Sequence, residues 1–128
     1  MIHSMIQRLC IGAVVLFAAA GCGDDGGGSE DPALEQTVRA YSEEFLAGDA
    51  SAAYARMSER CSAAIDEEVF SAVVASAAET YGDEEITDFE SDVDGDTATV
   101  SYEYGDESLN QVDEPWVRED GAWHLDDC

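Results

Sequence analysis

The sequence predicts an α+β domain in which three N-terminal helices pack on a curled four-stranded antiparallel sheet. Three observations carry that expectation. Apolar residues recur at helical spacing up to Tyr81 and then alternate with a period of two. Asp-Gly dipeptides at 94–95 and 120–121 stand between alternating runs, the strongest short-range hairpin signal. The 128-residue chain is 45% hydrophobic, which allows one modest domain with a core of its own.

Taken in order, Leu34, Val38, Tyr41 and Phe45 fall at i, i+4, i+7 and i+11 and form one stripe of a first helix. Gly48 stands where a glycine ends a helix, and Asp49 is placed to cap the next. That second helix is short, with Ala52, Ala53, Tyr54 and Met57 inward. Ser58 is either its stop or a new cap. Asp66 reads as the cap of a third helix, with Glu67 and Glu68 well placed against its dipole. Phe70, Val73, Val74, Ala77 and Tyr81 repeat the apolar spacing up to Gly82. Phe89, Ser91 and Val93 then alternate into the first hairpin, and Ala98, Val100, Tyr102 and Tyr104 alternate away from it. A looser segment from Asp106 to Glu114 leads to Pro115, which has no N–H to give a central strand. Trp116-Val117-Arg118 approaches the second hairpin, and Trp123 and Leu125 alternate out of it toward Cys128. Helices first and strands second imply two layers, with the helices on one face of the sheet.

Charge removes whole classes of function. There are 30 Asp and Glu against 5 basic residues, all arginine, for a formal net charge of −25. Such a surface repels phosphate backbones and anionic headgroups, so nucleic acid is excluded as a partner.

Residues 1–21 read as a signal peptide. Met1 to Arg8 form a short n-region, and an apolar run follows from Leu9 to Ala20, interrupted only by Gly12. As a helix the run spans about 18 Å, too short for a hydrocarbon core of roughly 30 Å. It has the length of an h-region. The run ends in Ala19-Ala20-Gly21-Cys22, which resembles the lipobox of bacterial lipoproteins, with Ala19 where that family usually has leucine. The resemblance implies a lipid on Cys22, cleavage just before it and acylation of the new terminus with palmitate-type chains. Two or more chains, at roughly 0.8 kcal/mol per buried methylene, hold a protein on a bilayer. Ordinary secretion with cleavage near Ala20 is the rival reading. Residues 22–32 then comprise the lipidated cysteine and a Gly/Asp-rich tether, GDDGGGSEDP, with a reach of roughly 17 Å. The tether lacks the Lys-Ser/Thr ending of a phosphate loop. The α+β domain occupies residues 33–128.

On this reading Cys10 leaves with the signal peptide and Cys22 takes the lipid. Cys61 and Cys128 remain as an even pair in an oxidising compartment, and a disulfide between them is expected. A metal or catalytic thiol is the rival, but His124 is the single histidine beyond the leader, too few for a zinc cluster. No metal and no cofactor is expected.

The order of elements, the Gly48-Asp49 step, the hairpins Asp94-Gly95-Asp96-Thr97-Ala98-Thr99-Val100 and Glu119-Asp120-Gly121-Ala122-Trp123, and the pair Cys61/Cys128 together resemble the nuclear-transport-factor-2-like superfamily. They are most similar to its small bacterial lipoproteins. The resemblance spans residues 33–128 and implies a cone with a pocket between helices and sheet. Its members include isomerases, dehydratases, binding modules and assembly domains, so fold alone does not choose a function.

Candidate sites follow from that shape. Tyr41, Phe45, Tyr54, Tyr102 and Trp116 are the expected pocket lining, each equally at home in a core. Asp88, Tyr41, Tyr54, Tyr102 and His124 are conceivable acid–base groups, though none lies in a motif that matches an enzyme of the superfamily. His124 alternates with Trp123 and Leu125 and so is expected toward solvent. The run Asp92 to Asp96 fails the glycine register of an EF-hand and reads as a solvated hairpin. The expectation is a non-enzymatic lipoprotein, tethered outside the cytoplasm to a bacterial cell membrane. Its domain is expected to bind a small apolar ligand or a cell-envelope protein. An isomerase or dehydratase acting on a hydrophobic substrate, a structural domain of an envelope complex and a homodimer are the alternatives.

Overall fold

The computed structural model describes residues 31–128. The expected signal peptide, Cys22 and its acyl chains, and the tether up to residue 30 lie outside the described residues. Helix α1 (Pro32–Leu46) starts on the Asp31 side chain, which accepts from the Ala33 and Leu34 N–H groups, with Pro32 at a position that needs no donor. Asp31, which composition assigns to the tether, thus serves as the cap of α1. Ala47 caps the other end of α1, and Gly48 follows at φ +83°, a conformation that favours glycine.

Helix α2 (Ala50–Ala55) is capped by Asp49 and helix α4 (Glu67–Tyr81) by Asp66, in keeping with their positions in the sequence. Between them lies α3 (Glu59–Ala64), so the domain has four helices rather than three. Ser58 resolves as a cap, accepting from the Cys61 N–H at 3.1 Å. Cys61 is the only buried residue of this six-residue helix, which left no apolar period to read. Val73 also departs from expectation. It is 52% exposed, because α4 buries Phe70 and Val74 and turns Val69 and Val73 outward.

Four strands follow as a meander, β1 (Ile86–Asp94), β2 (Thr97–Tyr104), β3 (Gln111–Glu119) and β4 (Ala122–Leu125), hydrogen-bonded in that order and antiparallel throughout. The two Asp-Gly steps serve different turns. Gly95 takes the first loop position at φ +60° between the paired Asp94 and Thr97, a II′ arrangement. In the second hairpin both loop residues are left-handed, Asp120 at +51° and Gly121 at +79°, which is type I′.

Pro115 lies inside β3, between two partner strands, contrary to the expectation that it stands outside a central strand. Its carbonyl accepts from the Asp126 N–H on the β4 side. A residue's N–H and C=O point the same way in an antiparallel strand, so the missing donor faces the region past Leu125, where the β4 ladder has ended. The β2 ladder loses nothing.

A bulge in β3 sets the direction of two inward side chains. Tyr102 pairs with Gln111 and Val100 with Glu114, so Val112 and Asp113 together oppose Ser101. Asp113 adopts φ +52° and its N–H donates to Ser101 Oγ. The extra residue rephases β3 so that Glu114 and Trp116 point to the helix side.

That side carries the core. Leu34, Val38, Val74, Val100 and Trp116 are essentially inaccessible, joined by Ala98, Tyr102, Trp123 and Leu125. The opposite face of β1 and β2 shows Asp88, Glu90, Asp92, Asp94, Thr97, Thr99 and Glu103 to water. The Sγ atoms of Cys61 and Cys128 are 2.07 Å apart, joining α3 to the end of the chain.

Candidate functional site

The concave face of the sheet gathers the chemistry-bearing side chains around one carboxylate. Glu114 is 6% exposed. Its Oε1 accepts from Trp116 Nε1 at 2.8 Å and from the Tyr102 hydroxyl at 2.9 Å, and its Oε2 lies 3.1 Å from the same hydroxyl. The bulge supplies the inward direction, and the i, i+2 spacing within β3 puts the Trp116 indole beside it. Burial pushes the Glu114 carboxyl up to about 7, against the pull of the Trp116 and Tyr102 hydrogen bonds, and the charge of Asp127 adds to the rise. Burial together with the Glu114 charge holds the Tyr102 and Tyr41 phenols well above their ordinary range.

Around this centre the rings touch in sequence. Tyr41 meets Trp116 edge-on with centroids 6.0 Å apart and Phe45 at 5.7 Å. Phe45 meets Phe70 at 6.0 Å, and Phe70 meets Tyr54 at 5.6 Å. Tyr102 meets Tyr104 at 5.8 Å, and the Tyr104 hydroxyl is hydrogen-bonded to Ser42. Tyr41, Phe45, Tyr54, Tyr102 and Trp116 are thus brought into one cluster, with Phe70 and Glu114 as the links. Tyr54 has a further duty, its hydroxyl reaching the carbonyls of Ser62 and Ile65 at the end of α3. Two clefts open away from these rings. One of about 200 Å³ lies among Arg39, Ser42, Glu43, Glu84, Glu85 and Ile86, and another of about 550 Å³ lies where α4 ends.

The remaining acid–base candidates lie elsewhere. Asp88 is exposed on β1. His124 faces away from Trp123 and Leu125 but is half-buried rather than open to solvent, paired across to Val117 of β3, and its Nδ1 is buried with no partner among the described residues. The Asp92–Asp96 run forms the end of the β1–β2 hairpin. Among the described residues no three His, Cys, Asp or Glu side chains converge as a metal site, and no helix is long and apolar enough to cross a membrane.

A second polar node ties the start of the domain to the sheet. Asp31 Oδ2 accepts from Arg118 Nη2 at 3.0 Å and from Trp123 Nε1 at 3.1 Å, while the Arg118 guanidinium stacks 4.4 Å from the Trp123 ring centroid. Burial would raise the Asp31 carboxyl, but the donors at Leu34, Trp123, Ala33 and Arg118 hold it below its usual value. Arg39 pairs with Glu35, Arg56 with Glu44 and Arg60 with Asp126, so each arginine among the described residues has a carboxylate partner.

Glu114 is the residue that sequence reasoning missed. Glu114 and Trp116 alternate on one face of β3, but the loose segment expected from Asp106 to Glu114 left Glu114 outside a strand, whereas β3 starts at Gln111. The fold and this site define an α+β domain whose helices precede and cover a four-stranded antiparallel meander enclosing a carboxylate. No family model, curated protein or solved structure matches the chain.

Proposed function

We propose that the protein is a bacterial lipoprotein, tethered outside the cytoplasm through acylated Cys22, whose nuclear-transport-factor-2-like cone is a non-enzymatic module that binds a cell-envelope protein. One observation carries the choice of a protein over a small ligand. The side chains suited to line a chamber contact one another ring to ring, and the oxygens of Glu114 are engaged by the domain's own donors. Val69 and Val73, one helical turn apart on α4, are exposed apolar side chains outside. The pairing of Cys61 with Cys128 favours an oxidising compartment.

Glu114 also favours a second reading, an isomerase or dehydratase, because a buried carboxyl near 7 is suited to proton transfer. That reading requires the packed side chains around the buried Glu114 to make room for a substrate.

Native mass spectrometry of the full chain, taken from its membrane into detergent, separates the two. The expected result is the lipidated chain with no extra mass. A small molecule that leaves only on denaturation overturns the protein-binding reading in favour of an occupied cone. Replacing Cys22 by serine is expected to release the chain into the soluble fraction, and undiminished membrane retention overturns the lipid anchor.

A further inference from the structure

We infer that the outer edge of β1 is a docking site for an extended segment of a partner protein, one that alternates basic and apolar residues and adds to the sheet as a fifth strand. This rests on reading the domain as a protein-binding module and names the surface and the chemistry of what it takes.

The two edges of the sheet are finished differently. At β4 the chain's own backbone closes the edge, with Leu125 N–H donating to the Arg56 carbonyl and Ser58 N–H to the Leu125 carbonyl. Nothing among the described residues covers the nine residues of β1 in this way. Among the described residues the single contact to its outer backbone is Arg39 Nη1 on the Ile86 carbonyl, at the very start. Because Asp94 and Thr97 close a two-residue hairpin, they exchange hydrogen bonds, and so does every second pair along the ladder. The N–H and C=O groups of Asp92, Glu90 and Asp88 therefore point at β2. Those of Phe89, Ser91 and Val93 point outward, free to receive a strand.

The side chains specify the occupant. On the helix side Phe89 and Val93 are only half-buried against the core, leaving apolar surface that an incoming apolar residue would cover. On the other side Asp88, Glu90, Asp92 and Asp94 form an exposed row along the edge. A strand laid beside β1 puts alternate side chains against that row, and Lys or Arg there is attracted while Asp or Glu is repelled. The same row excludes a second copy of β1. Antiparallel self-pairing about Ser91 sets Glu90 against Asp92 and Asp88 against Asp94, and other registers on that face also oppose acid to acid. The acidic tether, without an apolar residue, does not fit either.

The test uses the full chain in detergent and a nine-residue peptide of alternating valine and arginine with blocked ends. Added antiparallel, as every strand of this sheet is, the segment has the valines as the residues whose N–H groups face β1. N-methylation of the valines is expected to weaken binding at least tenfold, whereas N-methylation of the arginines changes it by less than threefold. Ser91→Pro removes one outward N–H without touching the β2 ladder and is expected to cost a similar tenfold. Glu90→Lys with Asp92→Lys leaves the backbone intact and is expected to reverse the preference toward an alternating valine–glutamate peptide. Equal losses for the two methylated peptides, or an unchanged preference in the double variant, overturn the proposal, since binding would then be unspecific attraction to a polyanion. A dimer of the full chain that Ser91→Pro dissociates overturns it in favour of a second copy. A small molecule retained in native mass spectrometry overturns the protein-binding reading itself. A bare mass with failed peptides overturns only the β1 edge.

Discussion

The edges of this sheet differ in how they are secured. The β4 edge is four residues long, bridged by backbone at Met57 and Leu125 and followed within three residues by the disulfide to α3. The β1 edge is more than twice as long and carries acidic side chains where β4 carries contacts. Edge strands invite unwanted pairing, and proteins blunt them by cover, brevity or charge. Among the described residues, cover and brevity protect one side and charge alone the other. Charge excludes copies of itself and leaves open a strand of opposite sign, so only the β1 side is selective.

The largest effect is expected from removing the covalent part of the covered edge. Cys128→Ser opens a loop with a sequence separation of 67. It should cost about 4 kcal/mol in the chain-entropy account of cross-links. Urea unfolding of the variant, beside the parent with and without reductant, measures this. Hydrogen exchange sharpens it, because the Leu125 amide should lose protection before those of β2. A midpoint unmoved by reductant would mean that the backbone bridge alone secures β4.

Glu114 lies on β3 between the edges and should give the next effect. Its carboxyl rises from 4.5 to about 7 on folding, so the folded state binds the proton more tightly than the unfolded chain. The resulting stability is full below pH 4.5 and is lost as pH rises through about 7, a change of about 3 kcal/mol. Asp31 and Asp126, whose folded values are lowered, act in the opposite sense below the ordinary aspartate range. The difference between parent and Glu114→Gln isolates the buried group. The variant should gain stability relative to the parent as pH rises from 4.5 through about 7, and a constant difference across that range would refute the assignment.

Smaller effects test the edges residue by residue. Ser58 caps α3 and donates to Asp126 Oδ1 at 2.6 Å, beside the covered edge. Ser58→Ala should therefore cost about 1–2 kcal/mol in thermal or urea unfolding. Ser91→Pro on the open edge should cost less than about 1 kcal/mol, since the N–H it removes has no partner among the described residues. A larger loss at Ser91 than at Ser58 would reverse the contrast between the edges.

Much of this layout is legible in the sequence because its signals are local. Asp31, Asp49 and Asp66 cap helices through side-chain chemistry that needs no distant partner, although Asp31 reads as tether from composition alone. The stripe of Leu34, Val38 and Tyr41 and the alternation of β2 likewise read directly. What stayed hidden depends on contacts remote in sequence. Pro115 is tolerated in β3 because β4 stops at Leu125, and Glu114 turns inward because a bulge opposes Ser101. Val73 belongs to the apolar spacing of α4 yet faces water, since only a narrow stripe of that helix meets α1 and α2. The bare edge of β1 was equally unreadable, because pairing order is a property of the whole sheet.

The arginine pairs have a consequence for digestion. The chain contains no lysine, and its arginines among the described residues, Arg39, Arg56, Arg60 and Arg118, lie within or at the end of a helix or strand with a carboxylate on each guanidinium. A protease that cleaves after basic residues, as trypsin does, must capture a free basic side chain and an extended backbone at the same point. The folded domain does not offer both together, since Arg39, Arg56 and Arg60 lie in or at the end of helices and Arg118 is in a strand paired on both sides, so scission awaits opening. The rate of cutting then follows the population of opened molecules rather than access to a loop.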